Sequence, residues 1–174
     1  MNLDQVQSAG WRIADPDWED PFDGSYSMRH GQRWNAQGSF PVTYLNANLE
    51  TARANAELMV GRLTGIGVDI DDIEGGQLPV IVPCDVPDRT VLDVLSDQGC
   101  LDVGLEATYP LDQDGVIVPH ARCQPIGQSA WDDGLDGIAC RSAALLTGDG
   151  EELAWFDRPG KRLTPNGLPQ PYEP

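Results

Sequence analysis

The pattern of apolar and polar positions divides the chain into short elements. Trp11 and Ile13 alternate with Arg12 across residues 10 to 14, the period of a strand with one face buried. An acidic stretch follows, Asp15 to Ser27, in which Pro16, Pro21 and Gly24 predict an irregular loop. Gly31 and Gly38 bracket a second polar loop that contains Gln32, Arg33, Trp34 and Asn35. The run Val42-Thr43-Tyr44-Leu45 then favours a strand, because β-branched and aromatic side chains pack well on a pleated surface. Asn48 is a good N-cap for a helix reaching Leu63, where Leu49, Ala52, Ala56, Met59, Val60 and Leu63 recur at spacings of three and four. Glu57 falls at the margin of that face, four residues after Arg53, a spacing that also permits a weak surface ion pair.

Beyond the helix, Gly65 and Gly67 with Asp69, Asp71, Asp72 and Glu74 predict a turn and a charged loop whose acids miss the spacing of a helix-loop-helix calcium site. Leu78 to Val86 is nearly continuous in apolar character, which predicts a central strand. Asp88 is placed to cap a short helix over Thr90 to Leu95. Gly104 to Val118 reads as loop with a short strand at Val116 to Val118, and His120 to Trp131 as a helix interrupted at Pro125 and Gly127. Gly134 to Ala143 predicts a turn, a short buried strand and a polar strand end, and Glu152 to Asp157 a final strand. Pro159, Pro165, Pro169, Pro171 and Pro174 predict a tail without regular packing, so the chain divides into a domain over residues 1–158 and a Pro-rich tail over 159–174. Short strands with two or three short helices in no strict alternation indicate an α+β fold.

Composition narrows the function classes. The 174 residues suit one domain, and 11 basic against 28 acidic residues give a net charge of -17. Such a charge repels nucleic-acid phosphates and anionic membrane surfaces, so neither is an expected partner; a solvated surface or a basic protein partner remains. No apolar run approaches the roughly 18 residues of a membrane span, and the N-terminus lacks a secretory pattern, which makes the cytoplasm the default location. The four cysteines form no Cys-x-x-Cys pair, so no metal site is expected, and Cys84 and Cys140 lie in strand-like runs that suit buried thiols. No glycine-rich dinucleotide fingerprint or phosphate loop is present, and Lys161 is the only lysine. Against this acidic background Arg12, Arg29 and Arg33 stand out as a candidate anion pocket.

The chain resembles the RES domain family, toxins of bacterial toxin-antitoxin pairs. The resemblance rests on Trp11-Arg12-Ile13, Gly31-Gln32-Arg33-Trp34-Asn35 with Gly38, Val42-Thr43-Tyr44-Leu45, Ala56-Glu57, Cys123-Gln124 with Gly127-Gln128, the Gly134 to Ser142 segment and the Leu153 to Asp157 strand. Gln32 stands where the family loop usually has a second glycine, and Arg141 where a small or aromatic residue is more usual. The resemblance implies a fold similar to ADP-ribosyltransferases, with a split or mixed sheet, and cleavage of NAD between nicotinamide and ribose by a glycohydrolase or phosphorylase that depletes cellular NAD and arrests growth. NAD is then a substrate, with no further cofactor, and the implied partner is a separate helix-turn-helix antitoxin that covers the active site.

By that resemblance Glu57 stabilises the positive charge that develops on the ribose, and Arg33 and Arg12 anchor the pyrophosphate through planar, always-charged guanidinium groups. Tyr44 lays its ring against the nicotinamide, while Ser142 hydrogen-bonds the substrate or positions Glu57. Each has a plainer reading: surface ion pairs for Glu57 and the arginines, a core strand residue for Tyr44, a turn or cap for Ser142. Trp34 and Asn35 are expected to shape the loop. Two alternatives stay open at this level, a transferase that modifies a host protein with ADP-ribose and a non-catalytic binding module of the same fold.

Overall fold

A computed structural model describes residues 9–65 and 78–173, and among these eight strands form one mixed sheet flanked by helices. The charged loop with Asp69, Asp71, Asp72 and Glu74 lies outside the described residues. In chain order the elements are β1 (Ala9–Ala14), α1 (Ser25–His30), β2 (Val42–Asn46), α2 (Leu49–Gly65), β3 (Val80–Asp85), β4 (Val91–Val94), α3 (Asp97–Asp102), α4 (His120–Asp132), β5 (Gly137–Arg141), β6 (Glu151–Phe156), β7 (Thr164–Pro165) and β8 (Gln170–Pro171). Across the sheet they run β4-β5-β6-β2-β1-β3-β7, with β8 also on β3. Among the described strands only β4 and β5 pair in parallel. The α+β expectation therefore holds, with a mixed sheet. No helix among the described residues is long and apolar enough to cross a membrane.

Strand alternation sends side chains to two different cores. On β6, Ala154 and Phe156 enter a cluster with Trp34, Phe40, Val42, Tyr109 and Ile138, which α4 covers through Cys123 and Ala130. Leu153 and Trp155 point the other way, to a cluster with Leu45, Val82, Cys84, Ala139 and Leu163. Helix α2 packs beside the first of these layers through Ala56 and Val60, against Ile13 and Tyr172. Its start is the expected one, with Asn48 Oδ1 accepting from the Thr51 amide at 2.8 Å. The buried stripe is Ala52, Ala56 and Val60, so Met59, expected in it, is exposed.

Several expected elements differ. Within Thr90 to Leu95 the chain forms strand β4 rather than a helix: the spacing of Val91 and Val94 is helical, but in the strand it sends them to the two opposite cores, and parallel pairing with β5 decides the structure. The helix there comes later and is capped by Ser96, whose hydroxyl accepts from the Gly99 amide, not by Asp88. β3 is not central, since β1 lies on one side and only the two-residue strands β7 and β8 on the other. Its length of apolar sequence reflects burial on both faces rather than position in the sheet. Ser25 to His30, at the end of the predicted loop, closes into helix α1. Over Gly104 to Val118 there is loop with a single bridge between Leu111 and Ile117, in place of the strand at Val116 to Val118.

The tail also packs. β7 and β8 pair with β3, Leu163 and Tyr172 are buried, and Lys161 reaches Asp136 Oδ2 at 2.8 Å. Proline suits these positions because an edge residue can omit one ladder hydrogen bond. The division at residue 158 thus separates segments that share a core.

Candidate active site

Arg33 sits in a loop fixed from three sides. Helix α1 ends at Gly31, where φ is 71° and an added Cβ would lie 2.8 Å from the Gln37 amide nitrogen, so a side chain is excluded both by backbone angle and by space. Asn35 is fully buried, donating to Ser27 Oγ at 3.3 Å and to the Phe40 carbonyl at 3.1 Å. From β2, the Tyr44 hydroxyl donates to Asn35 Oδ1 and accepts from the Trp34 amide, both at 3.0 Å. Trp34 fills the core below and donates its indole N–H to Cys140 Sγ at 3.3 Å. On the third side α4 touches the loop backbone at Gly127, where a Cβ would fall 1.8 Å from the Trp34 carbonyl oxygen, and Gln124 donates to the Gln32 carbonyl at 3.0 Å. Trp34 and Asn35 therefore shape the loop, as expected. No described residue other than glycine has positive φ, so Gln32 stands in place of the family's glycine without left-handed strain.

The Arg33 side chain that this loop presents is half-buried. Its Nη1 donates to the Val118 carbonyl at 2.7 Å and lies 3.9 Å from Cys123 Sγ, while Nε and Nη2 make no bond to a described residue. Tyr109, Cys123 and Cys140 surround it. Burial pushes the Tyr44, Tyr109 and Cys140 groups up, so all three stay neutral.

A second polar group lies on the same sheet face. Ser142, just past β5, is fully buried; its hydroxyl donates to Glu152 Oε1 at 2.5 Å, and its amide donates to the Gly150 carbonyl at 2.7 Å. Glu152, the second residue of β6, lies directly across from Asn46 on β2 and Cys140 on β5. Asn55 of α2 brings its amide nitrogen to Glu152 Oε1 at 2.7 Å, Asn46 Oδ1 at 2.8 Å and Ser142 Oγ at 3.2 Å. An amide has two hydrogens, so the two shortest contacts carry them. Burial raises the Glu152 carboxyl above its ordinary value, and the bonds from Ser142 and Asn55 together with the Arg33 charge oppose that rise. Arg141, the family departure beside Ser142, fixes the end of β5: it donates to the Leu95, Ala107 and Tyr109 carbonyls and pairs with Asp97.

Arg33, Tyr44 and Ser142 are thus brought together on one face, from three distant parts of the chain. Glu57 and Arg12 are not. Two residues along a helix is a turn of roughly 200°, so with Asn55 aimed at the cluster Glu57 is exposed on the far side, where its charge adds to burial in raising the Tyr172 hydroxyl. Arg12 pairs in register with Leu45 and Val82, which places it on the opposite sheet face. There its Nε donates to the Pro21 carbonyl at 3.1 Å and its Nη1 to the Tyr44 carbonyl at 3.0 Å, with Trp18 5.5 Å away, and burial lowers it to about 10. Asn55 and Glu152 are the members of this polar group that sequence reasoning missed. A trace of Glu152 was available, since it shares strand parity with the buried Ala154 and Phe156 rather than with solvent.

A family model described as RES domain matches residues 9–172. The chain belongs to the RES domain family. Its fold is also similar to a chain of the crystal structure of the M. tuberculosis MbcT-MbcA toxin-antitoxin complex, with a TM-score of 0.68 and 24% identity over 94% of this chain and 84% of that one. No curated protein matches the sequence. The RES match runs through Leu163 and ends at Tyr172, so it takes in the tail strands along with the sheet face that carries Arg33, Tyr44 and Ser142.

Proposed function

We propose that this RES domain is the toxin of a toxin-antitoxin pair and that it cleaves NAD between nicotinamide and ribose. The observation that carries the reading is the convergence of Arg33, Tyr44 and Ser142, with the half-buried carboxylate of Glu152, on one face of a chain that matches the RES family. Nε and Nη2 of Arg33 are the donors left for an anionic pyrophosphate. The Tyr44 hydroxyl is engaged with the loop, so its ring, half-buried beside Arg33, is the part offered to a flat nicotinamide. The Ser142 hydroxyl is committed to Glu152, so Ser142 positions rather than attacks. A cleft of about 580 Å³ on the opposite face does not compete for this substrate, because Glu19, Asp20, Asp23 and Asp157 line it with Arg162 alone in opposition.

The structural neighbour was crystallised as a toxin-antitoxin complex. By analogy, a separate antitoxin protein covers the Arg33 face of this domain and blocks substrate, and the cytoplasm is where NAD and partner meet. Incubation of the purified chain with NAD, with and without phosphate, tests the reading through free nicotinamide. Release under at least one condition is expected; no release under either overturns it. Labelled NAD that marks a protein, with little bulk NAD loss, would assign the domain to protein ADP-ribosylation instead.

A further inference from the structure

We propose that Glu152 of β6, held by Ser142 and Asn55, is the carboxylate that faces the ribose when the nicotinamide bond breaks, and that helix α2 supplies an amide to the site and no acid. The inference rests on the NAD-cleaving reading above. Its first support is placement: Glu152 is on the sheet face of Tyr44 and Cys140, and the Arg33 charge acts on it. The second is the way the carboxylate is held. Both of its hydrogen bonds fall on Oε1, and Oε2 accepts from no described residue, so one oxygen is fixed and the other is left for a ligand. The third is elimination on α2, where Glu50 and Glu57 are both exposed and Asn55 occupies the position that faces the cluster.

The chemistry suits a fixed carboxylate. The bond between ribose C1′ and the nicotinamide ring nitrogen breaks, and its electron pair leaves with neutral nicotinamide. Positive charge develops on the ribose, the oxygen of water or phosphate forms the new bond at C1′, and a proton from that acceptor passes to solvent. Glu152 takes no part in the bond changes. Its free oxygen lies against the cationic sugar, and because Ser142 and Asn55 already orient it, little reorganisation is needed as charge appears. Arg33, Tyr44, Tyr109, Cys123 and Cys140 are the titratable groups around the site, and the tyrosines and cysteines are all raised by burial. Glu152 is the carboxyl beside them, and burial raises it.

The test compares Glu152→Gln, which keeps the shape and the hydrogen-bonding ability, with Glu152→Asp and Glu57→Gln. Nicotinamide release should fall by about 100-fold or more in Glu152→Gln, as for loss of one preorganised transition-state contact, with an unchanged circular dichroism spectrum and NAD binding by calorimetry within a few-fold of wild type. Glu152→Asp should retain partial activity and Glu57→Gln full activity. Wild-type kcat/KM should rise with pH through an inflection above the ordinary glutamate range, and the inflection should vanish in Glu152→Gln. Wild-type rates in a folded Glu152→Gln, or loss of activity in Glu57→Gln, overturn this assignment alone. A wild type that releases no nicotinamide overturns the parent reading with it.

Discussion

Arg12 and Arg33 are both half-buried and lie on opposite faces of the sheet, and the two faces treat them differently. Arg12 is enclosed by Pro21, Trp18 and the Tyr44 carbonyl among apolar neighbours, and burial weakens its hold on its proton. Arg33 has a single strong bond, to the Val118 carbonyl, and neighbours whose net effect is to raise it above the ordinary arginine value even though burial opposes this. A guanidinium surrounded by carbonyls is a brace between strands and loop. One with unused donors, opposite a polar cluster, is free to meet a ligand, the part the proposed function gives to Arg33. The same residue type, 21 positions apart in sequence, thus serves architecture on one face and is left with open donors on the other.

This contrast breaks most sharply at Arg33. Arg33→Ala should reduce nicotinamide release by about 100-fold or more and weaken NAD binding, while the melting temperature stays close to wild type; equal losses of activity and stability would mean that Arg33 is also a brace. Gly127→Ala comes next, since its methyl group must displace the Trp34 carbonyl and with it the Arg33 loop. A destabilisation of about 3 kcal/mol is expected by thermal melting, accompanied by lower activity in the molecules that remain folded. Arg12→Met should cost about 2 kcal/mol, as the Pro21 and Tyr44 carbonyls lose a charged donor, yet leave NAD turnover per folded molecule near wild type.

The smallest effect concerns Glu152. Its carboxyl is raised in the folded state, so the folded protein holds this proton more tightly than the unfolded chain. The stability it contributes is complete below the ordinary glutamate value and is lost as pH rises through the raised one. Wild type should therefore lose melting temperature relative to Glu152→Gln across that window, by a shift of a few degrees or less, while activity moves in the opposite direction. A parallel pH dependence in the two proteins would show that Glu152 is solvated.

Much of this organisation is local and was legible for that reason. Asn48 caps α2 through bonds to its own neighbours, β2 and β6 follow from short runs of strand-forming residues, and the shape of the Arg33 loop depends on Gly31 and the adjacent Asn35. Features set by distant pairing were not. Whether Asn55 or Glu57 faces the sheet depends on a rotation of α2 that Ala52, Ala56 and Val60 fix against β1. Arg12 and Tyr44 lie on adjacent strands and look like partners in a list of residues, but register sends their side chains to opposite faces. Glu152 gains significance only once β6 lies between β2 and β5, which brings Ser142 and Asn46 to it.

The two short strands of the tail have a consequence for association. They cover the outer side of β3, and Pro165 and Pro171 stand opposite Cys84 and Val80. Proline has no amide hydrogen to offer, so this edge presents an interrupted row of donors to any further chain. Strand addition, a common route both to partner capture and to fibre growth, is therefore disfavoured on that side of the sheet, and a partner is directed towards the helical faces and loops instead.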